Sequence, residues 1–220
     1  MPTAKKKTEE SKTKAQTITI QPLRDASARF LIEGIVPLVQ NRFPEKVEEE
    51  MRQKQEAGSQ AKKGRKREAK DFAALSEASK HISVDGWNGL PAAAFRSGMI
   101  SACRLVGFKM TIAKLSVWIM ADGVEADGTA LVRITKGKPR PCVHSVRNAT
   151  GVADLRPRSM WDAGWQAVLQ VGWDSDQFSL TDVTNLLVRV GHQVGIQEGR
   201  PDSKMSAGMG WGRFKVVSAS

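Results

Sequence analysis

With 220 residues and 40% hydrophobic side chains, the chain is long enough for one domain with its own core plus tails or an insertion. Its 34 Lys and Arg against 23 Asp and Glu leave a formal charge of +11, an excess that favours nucleic acid or an anionic surface as partner. No apolar run is long enough to cross a bilayer and no basic amphipathic helix points to a membrane surface, while two cysteines without metal-type spacing support neither a disulfide framework nor a zinc site; a reducing cytoplasm is the expected compartment.

Residues 1–15 alternate Lys with Glu and Thr and hold almost no large apolar side chain, so a disordered basic tail is expected there. A single domain is expected over 16–220. It opens with a short period-two strand at 16–20 and a second at 29–36, Arg-Phe-Leu-Ile-Glu-Gly-Ile-Val. Between 44 and 70 the character changes. Glu48, Glu49 and Glu50 precede Arg52 and Lys54 at helical spacing, and the cluster Lys62, Lys63, Arg65, Lys66 and Arg67 follows. A charged insertion outside the core fits that composition, either as a working projection or as a disordered one.

Pro91 and an alanine run open a buried helix over 91–106 despite Gly98. Strands are expected at 114–120, 130–135 and 142–147, with Asp122-Gly123 and Asp127-Gly128 as turns. A further strand over 165–173 precedes a helix that Ser179 caps, with Asp182 in its first turn and Gly191 as its stop. A last strand runs over 212–217. Strands interrupted by one early and one late helix describe an α+β, ferredoxin-like chain with an antiparallel sheet and both helices on one face.

The densest basic field runs from Arg133 through Lys136, Lys138, Arg140, Arg147, Arg156 and Arg158, with Asp154 the sole acid among them. On a strand, Arg156 and Arg158 share one face about 7 Å apart, a spacing suited to an extended phosphate backbone. The alternative is that these arginines pair with carboxylates from elsewhere in the chain. The glycine-dense stretch 191–213 adds Arg200, Lys204 and Arg213, and glycine lets main-chain N–H groups approach a phosphate or another strand closely. Of six tryptophans, Trp118, Trp165 and Trp173 fit packed strands, whereas Trp87 and Trp211 lie in loops and Trp211 is the candidate base-stacking platform.

Catalytic signals are weaker. His81, His144 and His192 are scattered, no P-loop ending follows the glycines, and no metal or cofactor motif appears. His144 and Cys142 would share a strand face without a third partner, so a histidine-assisted ribonuclease is the minor reading.

Three segments carry a resemblance: 32–43, Ile-Glu-Gly-Ile-Val-Pro-Leu-Val-Gln-Asn-Arg-Phe; 90–96, Leu-Pro-Ala-Ala-Ala-Phe-Arg; and the glycine loop from Gly195 to Phe214. Together they resemble phage-encoded proteins that look like members of the RAMP superfamily, to which the repeated backbone subunits of CRISPR effector complexes belong. The resemblance implies a modified RRM core, a projection at 44–70, a glycine-rich C-terminal loop, and a non-enzymatic subunit that forms homo-oligomers along single-stranded RNA or DNA inside a bacterial cell. The residues expected at the strand are Lys62, Lys63, Arg65, Lys66, Arg67, Lys136, Lys138, Arg140, Arg147, Arg156, Arg158, Arg200, Lys204, Trp211 and Arg213. A phage assembly protein using the same surfaces for protein contacts is the alternative.

Overall fold

In the computed structural model, residues 22–42, 71–147, 153–203 and 209–220 are described. The first strand, β1 (Asp25–Gly34), shows why alternation matters: Phe30 and Ile32 are buried, while Arg29, Leu31 and Glu33 face the other way and are part or fully exposed. It pairs antiparallel with β10 (Phe214–Ala219) on one side and with β9 (Gln166–Asp174) on the other. The far edge of β9 is shared. Strand β4 (Val117–Met120) pairs with residues 170–173 and β6 (Ala130–Lys136) with residues 166–167, and the short β3 (Gly89–Pro91) and β5 (Gly123–Val124) extend β6. If β4 and β6 are taken as one interrupted strand, the chain order across the sheet is fourth, first, third, second. That is the ferredoxin-like arrangement expected from the sequence.

Helix α2 (Ala92–Cys103) and helix α4 (Leu180–Arg189) lie against one face of this sheet; helix α1 (Phe72–Ala78) lies elsewhere. Phe95 and Met99 of α2 and Val183 and Leu187 of α4 meet Phe30, Ile32, Leu169, Val171 and Phe214 in a continuous core. Each such side chain contributes about 1.5–3 kcal/mol through burial. The start of α4 is fixed by the expected cap: the Ser179 hydroxyl accepts from the Asp182 N–H, and the Asp182 carboxylate accepts from the Ser179 N–H. At Gly98 α2 approaches Val190 closely, since a Cβ there would sit 2.8 Å from it.

Two expected boundaries are corrected. The strand expected at 114–120 is extended only over Val117–Met120, because residues 114–116 close helix α3 (Met110–Ser116). Gly107, at φ +71°, redirects the chain. Ala113 and Ser116 then point inward one turn apart, leaving Leu115 84% exposed, so the apparent alternation of Leu115, Val117 and Ile119 is broken after Ser116. The Arg96 guanidinium bonds to the carbonyls of Lys114 and Val117 and holds this junction. Gly191 does not end α4 either, because the chain continues through a π-turn, Val190–Val194, and turns away at Gly195. Gly191 is required for a different reason: its Cβ would lie 2.0 Å from the Phe214 carbonyl oxygen.

A second sheet, β2 (Leu38–Gln40), β8 (Ala153–Trp161) and β7 (Pro139–Arg147), is reached from β6 through Gly137, at φ +104°. Helix α1 (Phe72–Ala78) packs on it, with the Ser76 hydroxyl donating to the Arg158 carbonyl. Of the remaining expectations, the tail at 1–15, the strand at 16–20 and the insertion at 44–70 lie outside the described residues.

Candidate nucleic-acid interface

The β7–β8 register places His144 opposite Arg156 and Cys142 opposite Arg158, so all four side chains share one face of the hairpin, as alternation requires. The two arginines nevertheless have different surroundings. Arg158 is 16% exposed and donates at 2.6 Å to Glu198 of the glycine loop, whose other carboxylate oxygen lies 3.3 Å from His144 Nε2. Arg156 keeps 37% exposure and has Asp154 at 4.0 Å. Internal carboxylate pairing, the alternative left open for this field, thus occurs at Arg158.

It also occurs at Arg140, which grips Asp162 with contacts of 2.8 and 3.1 Å. That hydrogen-bonded pairing raises the Arg140 pKa and lowers that of Asp162. By contrast, Lys136 and Lys138 flank the Gly137 turn, are exposed, and have no carboxylate within ion-pair distance among the described residues. Among the described residues they are cations without an ion pair at the junction of the two sheets, Lys136 acting on Glu33 only through its charge. Arg133 stands apart, its guanidinium 5.8 Å from the Trp87 ring centroid.

The described parts of the glycine loop, 191–203 and 209–213, form a folded scaffold. Arg200 donates to the carbonyls of Asp202 and Gln197, and Arg213 donates to that of Gly210, so both guanidinium groups brace their own loop. Trp211 covers Gly199, where a Cβ would fall 2.5 Å from the ring, and meets His144 edge-to-face at 5.2 Å. It remains half-buried, with part of the ring accessible. Between this loop and α2 lies a cleft of about 280 Å³ lined by Ala93, Ala94, Ser97 and Gly98 on the helix and by Gly195 and Arg200 opposite. Small side chains form the helix wall, and Val194, Ile196, Gln197 and Asp202 complete the loop wall beside Gly195 and Arg200.

Arg147 lies at the end of β7. Lys62, Lys63, Arg65, Lys66, Arg67 and Lys204 lie outside the described residues. His144 is 9% exposed beneath Trp211 and held by Glu198, whereas His192 is exposed on the π-turn. The site therefore brings together Arg158, Glu198, His144 and Trp211. Glu198 was missed in the sequence, and its only signal is that it is the sole acid between Asp182 and Asp202.

No protein-family model matches the chain, and no curated protein matches it. The fold is similar to that of a chain in the cryo-EM structure of the Type III-B Cmr-beta complex bound to cognate target RNA, with TM-score 0.52 and 8% identity. The match covers 89% of this chain and 60% of the other, so this chain spans less than two thirds of that neighbour. At that identity the likeness concerns the fold alone, an α+β architecture with antiparallel sheets. Among the described residues no helix is long and apolar enough to cross a membrane.

Proposed function

We propose that this protein is a non-enzymatic subunit that binds single-stranded nucleic acid, chiefly through the phosphate backbone, and assembles side by side along it. The observation that carries the reading is the exposed Lys136-Gly137-Lys138 turn at the junction of the two sheets, which has no carboxylate within ion-pair distance among the described residues, with part-exposed Arg156 on the hairpin that continues from it. Free cations release counterions on meeting phosphate, whereas Arg140 and Arg158 already have their carboxylates and act first as struts. RNA is the favoured strand, because the structurally similar complex is described as bound to target RNA. The test is binding of the purified protein to labelled single-stranded RNA, single-stranded DNA and duplex across a salt series, with imaging of the particles formed. Salt-sensitive single-strand binding with ordered assemblies supports the reading. Failure to bind all three transfers the same surfaces to protein contacts in an assembly role.

A further inference from the structure

The sheet has a second face that the helices do not cover. Strand register fixes its layout: Ser27, Gly172 and Trp118 form one row, Arg29, Gln170 and Met120 the next, Leu31 and Val168 a third, and Lys215, Glu33, Gln166 and Lys136 a fourth. Leu31, Val168, Gln170, Trp118 and Met120 are each part exposed, so among the described residues this face is open to solvent. Trp118 is the one aromatic in these rows. A Cβ on Gly172 would fall 2.1 Å from its Nε1, so the indole occupies the space directly above that glycine, laid on the neighbouring strand instead of in the core.

Charge on the face is graded. Asp25 and Asp174 pair across β1 and β9 beyond the tryptophan row, while Arg29, Lys215 and Lys136 lie on its other side. The single carboxylate among those cations, Glu33, is bridged by Lys215 at 2.8 Å and accepts from Gln166 at 2.7 Å. From the tryptophan row to the lysine row the distance is about 20 Å, at roughly 3.3 Å per residue, which accommodates a few nucleotides.

We infer that this open face is a second contact surface for the bound strand, a single-stranded RNA, with one base stacked on Trp118 and the phosphates running along β1 past Arg29 toward Lys215 and Lys136. The inference rests on the single-strand reading above and adds the place and direction of the path. The cations choose a polyanion over an apolar protein partner, and the two aspartates close the far end by repulsion. Gln170, between base platform and lysines, and Gln166, in the lysine row itself, offer both donors and acceptors to a ribose 2′-OH, the group that separates RNA from DNA. Lys136 belongs to both this face and the Gly137 turn, so the two surfaces are continuous.

The experiment is photocrosslinking of the full-length wild-type protein to a 5-bromouridine-substituted RNA oligonucleotide, with the adduct mapped by mass spectrometry, alongside affinities of the Trp118→Leu and Trp118→Phe variants. The expected adduct is at Trp118. Trp118→Leu should weaken binding about tenfold, the scale of one lost stacked base, while Trp118→Phe stays close to wild type and the matching DNA binds more weakly. An adduct at Trp87 or Trp211 with Trp118→Leu at wild-type affinity overturns this surface and leaves the single-strand reading standing. Equal or tighter DNA binding overturns the choice of RNA, and absence of binding to any single strand overturns both. If Trp118→Leu does not fold, the wild-type adduct and the phenylalanine variant decide.

Discussion

The Arg158 guanidinium meets the Glu198 carboxylate at 2.6 Å, joining strand β8 to the glycine loop across 40 residues of sequence. Both side chains are 16% exposed, and His144 shares the carboxylate. Removing one partner of a buried pair costs roughly 3–5 kcal/mol; with this residual exposure, a loss of about 2 kcal/mol is expected for Arg158→Ala or Glu198→Ala. Chemical denaturation of the two single variants and the double variant checks it. The double variant should lose less than the sum of the singles, because the second change removes a charge already left without its partner.

Glycines of the C-terminal loop fall into two classes. Gly212 has φ +68° and its Cβ would lie 1.9 Å from the Ile196 carbonyl oxygen, whereas Gly210 has φ +69° with open space around it. Gly210→Ala should cost only the left-handed backbone penalty, about 1–2 kcal/mol. Gly212→Ala adds a backbone collision that no side-chain rotation relieves, so its melting temperature should fall clearly further. Equal melting temperatures for the two variants would show that the loop can relax around Ile196.

These cases mark how far the sequence could be read. The β-branched run of β1, alternation along β9, the Ser179 cap and the run of strands and helices are local signals, and they yielded the ferredoxin-like fold class, while the strand order needed the pairing itself. The helix at 110–116 hides because three residues of apparent alternation look the same from either side of Ser116, and its Arg96 contact comes from a distant helix. Glu198 could not be assigned to Arg158, since pairing partners depend on where the hairpin docks. Trp118 reads as core in any window of sequence. Only the register that sets it above Gly172 shows that it faces outward.

Acid should test the Arg140–Asp162 pair in a defined direction. The Arg140 hydrogen bond holds the Asp162 carboxyl below its ordinary pKa. A depressed folded-state pKa means that its stabilisation is present above the unfolded carboxylate pKa and disappears as pH falls through the folded value. Asp162→Asn should therefore melt slightly below wild type at neutral pH and converge with it in acid. Both side chains are more than half exposed, so the difference is small and should shrink with added salt.

Free and paired cations should behave differently in binding. Each phosphate contact to a single strand contributes about 0.7 to the slope of log affinity against log salt. Replacing Lys136 and Lys138 together with glutamine should flatten that slope by about 1.4 and weaken binding to all sequences alike. Arg140→Gln removes a charge that Asp162 already compensates, so it should leave the slope nearly unchanged while lowering thermal stability slightly. If Arg140→Gln flattened the slope as much as the double lysine change, the guanidinium would have to leave Asp162 for phosphate on binding. The Asp162→Asn variant would then bind more tightly than wild type, because its arginine starts free.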